Sequence, residues 1–181
     1  EGYHSVLLRL ALAIVGSRGS AEEVVQDTWV AVLDALPSFE GRSSLKTWIA
    51  RIAINRAKTR AVRDGRNVPL QFADGSEGEE PSVDPSRFRS IGVWAEPVEQ
   101  WEDAPEALLL RREARQRIEE GLQKLPAAQR AVVTLRDLEV WTSEEVCNAL
   151  ELSESNQRVL LHRGRSRLRA VLEQFLGGGK K

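Results

Sequence analysis

The side chains best suited to chemistry in this sequence lie in a basic segment near its C-terminal end. Residues 158–169 contain five arginines and no acid, and Asn156 and Gln157 come directly before them. Arginine, asparagine and glutamine can pair with the edges of DNA bases, and arginine also binds phosphate. The segment therefore predicts a nucleic-acid contact. The candidate residues are Ser155, Asn156, Gln157, Arg158, His162, Arg163 and Arg165.

The element that must position these side chains is predicted from the residues just before them. Thr142, followed three residues later by Glu145, has the pattern of a capping box that opens a short helix. A turn at 151–153 then leads into a second helix, which Ser153 can cap. A short helix, a tight turn and a basic helix predict a helix-turn-helix that enters the major groove. An antiparallel helix pair with a solvated basic face is the alternative.

A second basic segment lies in the N-terminal third of the chain. Residues 42–66 contain eight basic residues and one acid, Asp64. Helical spacing over 44–63 separates an apolar face from a polar one. The apolar face is predicted to be Leu45, Trp48, Ile49 and Ile52. A cationic track with polar side chains suits a single nucleic-acid strand. The candidate residues on it are Arg51, Asn55, Arg56, Lys58, Thr59 and Arg63.

Two further helices are predicted ahead of this segment, over 3–15 and 20–36. Ser20 opens the second, and Glu23 completes a capping box there. Its apolar face is predicted to be Val25, Trp29, Val32, Leu33 and Leu36. Its exposed Glu22, Glu23, Gln26 and Asp27 either dock on a basic partner or form a solvated acidic face at a helix start. We interpret Trp29, Trp48 and Trp141 as core residues rather than base-stacking platforms.

The charge inverts between the two basic segments. Residues 74–106 carry ten acids against two arginines and are punctuated by glycine and proline. Such a long stretch without helical periodicity predicts an interdomain linker, although its aromatic residues are unusual for a passive tether. We therefore expect an all-α protein of two small helical domains joined by a long acidic linker. The predicted boundaries are 1–65, linker 66–106, 107–176 with the helix-turn-helix, and a disordered tail at 177–181.

Few features of the sequence support catalysis. His4 and His162 have no second histidine or cysteine at metal-ligand spacing, and the single cysteine, Cys147, excludes an internal disulfide. No apolar run reaches the roughly 18 residues that span a bilayer, and no signal peptide is visible. We expect a cytoplasmic protein that is not an enzyme, binds no metal or cofactor, and does not insert into a membrane.

Two stretches resemble the extracytoplasmic-function sigma factors of bacterial RNA polymerase. The stretch LPAAQRAVVTLRDLEVWTSEEVCNALELSESNQRVLLHRGRSRLRAVLE resembles their C-terminal domain. The stretch SAEEVVQDTWVAVLDALPSFEGRSSLKTWIARIAINRAKTRAVR is similar to their N-terminal domain. The family usually has glycine where this chain has Glu151. Because a non-glycine residue at positive φ costs on the order of 1 kcal/mol, we expect a looser turn here.

The resemblance implies a division of labour between the domains. Residues 1–65 would dock on the polymerase clamp helices through the acidic face of helix 20–36. They would also recognise and melt the −10 promoter element through the basic helix and the preceding loop, 39–44. Residues 107–176 would bind the polymerase flap and read the −35 element. The linker would be either a tether or an acidic segment that stands in for RNA inside the polymerase.

The partners implied by the resemblance are core RNA polymerase, promoter DNA and an anti-sigma factor. One alternative is a stand-alone helix-turn-helix regulator that binds duplex DNA as a dimer. Another is an enzyme or an RNA-binding adaptor, which no motif favours. A simple repressor has no need of a second nucleic-acid surface, so the basic helix predicted at 44–63 favours the sigma factor.

Overall fold

The computed structural model describes residues 2–65 and 105–177, and every regular element in these ranges is helical. The N-terminal helices are α1 Gly2–Val15, α2 Arg18–Ala35 and α3 Leu45–Arg63, with a 3₁₀ turn, Leu36–Ser38, after α2. The C-terminal helices are α4 Pro105–Lys124, α5 Ala127–Val133, α6 Ser143–Leu150 and α7 Glu154–Gly177. A π-helical turn, Thr134–Leu138, continues α5. The prediction of an all-α protein is confirmed.

Helices α1, α2 and α3 pack against one another as a three-helix domain. The buried side of α3 is formed mainly by small side chains at helical spacing, among them Ala50, Ala53, Ala57 and Ala61. Alanine at these positions lets the neighbouring helices approach α3 closely. The apolar face predicted for α3 is partly wrong, because Leu45, which was assigned to it, is 42% exposed.

The start of α2 differs from the prediction. The helix begins at Arg18 with Ser17 as its N-cap, just after Gly16 turns the chain with a φ of 71°, so Ser20 is not its cap. Ser20 instead donates to the Asp64 carboxylate at 3.0 Å, and Glu23 pairs with Arg60 of α3. The capping box at Ser20 is thus wrong, because both side chains serve contacts between helices rather than the helix end.

The apolar face predicted for α2 is also too wide. Val25 and Val32 are buried, as expected. Leu33 is 69% exposed and Leu36 is 46% exposed. One residue turns an α-helix by 100°, so Leu33 points well away from the buried Val32 beside it.

The C-terminal helices α4, α5, α6 and α7 form a second helical domain. Two glycines allow their close packing. A Cβ atom on Gly164 of α7 would lie 2.6 Å from Cγ2 of Val133, and one on Gly121 of α4 would lie 2.7 Å from Cδ1 of Leu168. Glycine at these positions fixes how closely α7 can approach α5 and α4.

Residues 66–104, which make up most of the predicted linker and include Trp94 and Trp101, lie outside the described residues. Most of the predicted tail, residues 178–181, also lies outside them. Helix α4 begins at Pro105, two residues before the predicted domain start. At the other end α7 includes Gly177, which was assigned to the tail.

The two domains pack directly on each other. Helix α1 contacts α5, and α3 contacts α6. Their buried residues form one hydrophobic cluster, in which Leu10 and Ile14 of α1 join Ala131 and Leu135 of the C-terminal domain. This arrangement brings the basic helix α3 next to the helix-turn-helix.

Candidate nucleic-acid interface

Local side-chain chemistry positions the helix-turn-helix, which consists of α6, a turn and α7. The Thr142 side chain accepts from the backbone N–H of Glu145 at 3.1 Å, and the Glu145 carboxylate accepts from the Thr142 N–H at 2.8 Å. These bonds form the predicted capping box. The Asn156 N–H donates to Ser153 Oγ at 3.2 Å at the start of α7, as predicted. Both helix starts are therefore set by adjacent sequence.

The turn between α6 and α7 is tight, against the expectation from its sequence. Glu151 ends α6 in the left-handed conformation, with φ 59° and ψ 47°. Its N–H bonds to the Cys147 carbonyl, as does that of Leu152, at 3.0 Å. The expectation of a looser turn is wrong, because the chain keeps the glycine-like geometry and accepts strain on the order of 1 kcal/mol.

The outward face of α7 carries a subset of the predicted base-reading residues. Ser155 and Arg158 are exposed, and Arg158 lies 3.4 Å from Glu154 in a loose ion pair. His162 and Arg163 are half-buried. The exposed side chains lie about one turn apart, so they can reach one groove together.

Asn156 and Gln157 are buried, which corrects their assignment as base readers. They are 8% and 2% exposed, respectively. The Oε1 atom of Gln157 accepts from Ser143 Oγ at 3.2 Å, so this side chain bridges α7 to the start of α6. Gln157 lies one helical turn before the buried Leu161. That spacing was a sequence signal that could have assigned it to the interior.

Arg165 is held in an ion pair within its own domain. Its guanidinium donates to both carboxylate oxygens of Asp137, at 2.9 and 2.5 Å, and its side chain is 16% exposed. A paired arginine with so little exposure fixes α7 against the turn after α5. In this structure Arg165 is bound to Asp137, and its assignment to DNA stays a prediction.

Helix α3 presents the second basic surface. Arg51, Asn55, Arg56, Thr59 and Arg63 are exposed on it, and Lys58 is half-buried. Residues four apart on a helix share a face, so positions 51, 55 and 59 form one stripe. The candidates predicted on α3 are thus accessible along a single helix.

A pocket of about 370 Å³ lies beside the N-terminal end of this stripe. Its lining residues are Ser38, Phe39, Glu40, Arg42, Ser43, Trp48, Arg51 and Asn148. The rings of Phe39 and Trp48 lie 5.0 Å apart at an angle of 46°. Trp48 packs against the core, as predicted, and also lines the pocket. An aromatic wall with polar neighbours has the chemistry that holds an unstacked base.

The predicted docking residues on α2 lie next to an exposed apolar patch, in which Leu33 and Leu36 were predicted to belong to the buried face. Glu22, Glu23, Gln26 and Asp27 are all exposed. Val30, Leu33 and Leu36 are exposed one to three turns further along, by 61%, 69% and 46%. We call these three residues the α2 apolar patch. Exposed large aliphatic residues beside acids are typical of a protein-binding surface.

Polar contacts cross between the domains. Lys46 Nζ lies 2.9 Å from the Glu145 carboxylate and 4.2 Å from the ring centre of the buried Trp141. Arg51 Nη2 lies 2.5 Å from the Glu151 carboxylate. The hydrogen bond from the Thr142 backbone, aided by Lys46, lowers the pKa of Glu145. The hydrogen bond from Arg51 lowers the pKa of Glu151.

Two more contacts join α1 to the C-terminal domain. Arg9 pairs with Glu139, which raises the pKa of Arg9. The buried Arg130 donates through Nε to the Ala13 carbonyl at 2.5 Å. Sequence reading missed these contacts, because Arg130 and Ala13 are 117 residues apart and neither carries a motif.

Within residues 2–65 and 105–177, no group of histidine, cysteine, aspartate and glutamate could hold a metal ion. No helix in these ranges is long and apolar enough to cross a bilayer.

Comparison with known proteins assigns both domains. Residues 1–67 match the family described as Sigma-70 region 2, and residues 115–168 match Sigma-70, region 4. The sigma-E factor of Escherichia coli (strain K12), an ECF RNA polymerase factor, is 33% identical over 147 residues, which cover 81% of this chain and 71% of that protein. The chain belongs to the ECF RNA polymerase sigma factors. Region 2 thus comprises α1–α3, and region 4 lies within α4–α7.

A longer relative and two solved structures complete the comparison. The ECF sigma factor SigG of Mycobacterium tuberculosis (strain ATCC 25618 / H37Rv) is 36% identical over 175 residues, or 94% of this chain, which spans 47% of SigG. The fold resembles RpoE of Bartonella quintana in complex with the anti-sigma factor NepR, with a TM-score of 0.63, 22% identity, and 94% and 92% of the two chains covered. It also resembles CnrH in complex with the cytosolic domain of CnrY, with a TM-score of 0.55, 22% identity, and 94% and 82% covered.

Proposed function

We propose that this chain binds core RNA polymerase and directs it to promoters through two DNA surfaces. The observation that carries the proposal is the pairing of a basic helix and aromatic pocket in region 2 with a helix-turn-helix in region 4. A regulator that binds only duplex DNA needs the second of these surfaces alone. In this role the protein is a transcription initiation factor rather than an enzyme, and it acts in the cytoplasm.

The region 4 surface would read the −35 element from the outward face of α7. We assign base or phosphate contacts to Ser155, Arg158, His162 and Arg163, since these remain accessible. Asn156 and Gln157 are left out of the contact set because they are buried. Arg158 is the strongest candidate, because its side chain is 75% exposed at the first outward turn of α7.

The region 2 surface would open the −10 element. Arg51, Asn55, Arg56, Lys58, Thr59 and Arg63 are the proposed contacts to the single strand. The pocket at Trp48 is suited to hold one unstacked base, while the cations of α3 meet the phosphates on either side. Such binding is expected to weaken steeply with salt.

The polymerase would dock on α2 and on the C-terminal domain. We propose that Glu22, Glu23, Gln26 and Asp27, together with the α2 apolar patch, contact the clamp helices, and that residues 107–176 bind the flap. An apolar centre beside charged residues is the usual composition of a stable interface. We also propose an anti-sigma factor as a partner, since RpoE of Bartonella quintana was solved with one.

The test is transcription by the protein with core RNA polymerase from a library of randomised promoters. We expect transcripts only with both components, and enriched promoters with two conserved blocks at a fixed spacing. The chain alone should bind duplex DNA weakly, since its net charge is −1. Tight binding of the chain alone to a palindrome, with no transcription, would instead identify a stand-alone regulator.

A further inference from the structure

The ion pairs described between regions 2 and 4 share one polarity. The described ion pairs across it join Arg9 to Glu139, Lys46 to Glu145 and Arg51 to Glu151. In each of these pairs region 2 supplies the cation and region 4 supplies the carboxylate. At these three contacts region 4 presents an acidic face to basic residues of region 2, as a nucleic-acid backbone would, whereas its buried Arg130 bonds to the Ala13 carbonyl elsewhere on the interface.

This acidic face covers part of the proposed −10 surface. Asn148 of α6 forms one wall of the pocket that contains Trp48 and Arg51. Arg51 lines that pocket and at the same time binds Glu151. A guanidinium binds carboxylate and phosphate with the same donor geometry, so Glu151 occupies a donor that a DNA phosphate would use.

We propose that Glu151 is a latch that holds region 4 over the −10 surface, where its carboxylate takes the place of a DNA phosphate on Arg51. Single-stranded nucleic acid competes with Glu151 for Arg51. The Arg51–Glu151 contact is broken when the chain is bound to polymerase and promoter. The inference rests on the proposed function of α3 and adds a closed state to it.

The backbone at Glu151 supports a role beyond local structure. The residue adopts a left-handed conformation that glycine takes without strain. A glycine would therefore make a better turn, and it would lose the carboxylate that binds Arg51. The other strained residue among those described, Val140 with φ 55°, is 81% exposed and carries an aliphatic side chain that binds no cation.

The exposure of the pair suits a reversible contact. The side chains of Arg51 and Glu151 are 46% and 56% exposed. Ion pairs of this kind are weak and are screened by salt, so a competing phosphate can replace the carboxylate without a large barrier. The Lys46–Glu145 pair, at 29% and 28% exposure, lies deeper and supports the same closed arrangement.

The experiment measures closure and strand binding on the full-length protein. Fluorescent dyes on Val62→Cys and Glu113→Cys, in a Cys147→Ser background, report the distance between regions by energy transfer. A labelled oligothymidylate reports single-strand affinity. We expect Glu151→Gly and Glu151→Gln to lower energy transfer and to tighten oligothymidylate binding by about twofold to fivefold, the range for one partly exposed ion pair.

Two controls separate the latch from simpler effects. Val140→Gly relieves the same type of backbone strain at an exposed side chain, and Glu144→Gln removes an exposed negative charge from the same helix. Neither should change energy transfer or affinity. The latch is refuted if the Glu151 variants behave like wild type, or if either control matches them.

Failure of the latch can be distinguished from failure of the proposed function. Transcription by the wild-type protein with core polymerase tests the function alone. If the wild type initiates transcription while the Glu151 variants leave energy transfer unchanged, the sigma function stands and the latch falls. If the wild type fails to initiate, the proposed function falls, and the oligothymidylate data then describe closure over a strand-binding surface without a promoter role.

Discussion

Replacing Gln157 with alanine should destabilise the protein rather than change its promoter preference. The substitution removes the hydrogen bond to Ser143 Oγ, worth about 0.5–1.5 kcal/mol. It also removes one buried methylene group, worth about 0.8 kcal/mol, together with the carboxamide of a side chain that is 2% exposed. The free energy of unfolding should fall by about 1.3–2.3 kcal/mol, which lowers Tm by roughly 5–18 °C in a small domain.

Arg158→Ala is the matched control, one residue further along the same helix. Its loose pair with Glu154 is highly exposed, so Tm should change little. Transcription by the holoenzyme should instead lose its dependence on one −35 base, by about 1–3 kcal/mol. Thermal melting and transcription from a panel of −35 point mutants measure both effects. If Gln157→Ala kept its Tm and relaxed the preference at one −35 position, our placement of Gln157 would be wrong.

Three further substitutions or conditions test other parts of the structure. Gly164→Ala should lower Tm despite its gain in helix propensity, because there is no room for the added Cβ atom. Gly19→Ala is the control: the space around Gly19 is open, so this substitution should raise the free energy of unfolding by about 0.5–1 kcal/mol. Leu33→Asp should weaken binding to core polymerase roughly tenfold in a titration, while Val62→Asp, equally exposed on α3, should not. The pKa of Glu151 is lowered by its hydrogen bond to Arg51. Its contribution to holding region 4 against region 2 is therefore fully present above the ordinary carboxyl pKa of about 4.3, and it is lost as pH falls through the lowered pKa. Energy transfer should therefore drop on acidification, and by less in Glu151→Gln.

The sequence predicted those features that depend on adjacent residues. The capping box at Thr142 and the cap at Ser153 are complete within a few positions, so their geometry follows from the local chain. The same pattern failed at Ser20, because α2 already begins at Arg18 and the Ser20 hydroxyl donates to the Asp64 carboxylate instead. A cap pattern thus predicts a helix start only where no tertiary partner competes for the side chains.

Burial was predicted less well than helicity. The stripe assigned to α2 included Leu33 and Leu36, which face outward, because apolar character alone does not separate a core from a docking surface. Gln157 was assigned to DNA because amides read bases, although its spacing with Leu161 places it inside. For Gln157 and Leu33 helical phase was the stronger signal, and side-chain type was given too much weight. Leu36 keeps the phase of Val25 and Val32 but lies beyond the end of α2, in the 3₁₀ turn.

The contacts between the regions were beyond sequence reasoning, yet one position in the sequence pointed to them. Glu151 breaks the glycine preference of its turn, and we expected the turn to loosen in response. The backbone instead keeps the strained geometry, and the carboxylate meets Arg51, 100 residues earlier in the chain. Glu151 thus keeps a strained backbone conformation that glycine would adopt without strain. Such unrelieved strain indicates that the side chain makes a favourable interaction elsewhere in the protein. For this reason the turn residue, rather than the arginine-rich face of α7, is where we expect the free protein to differ most from relatives that carry glycine.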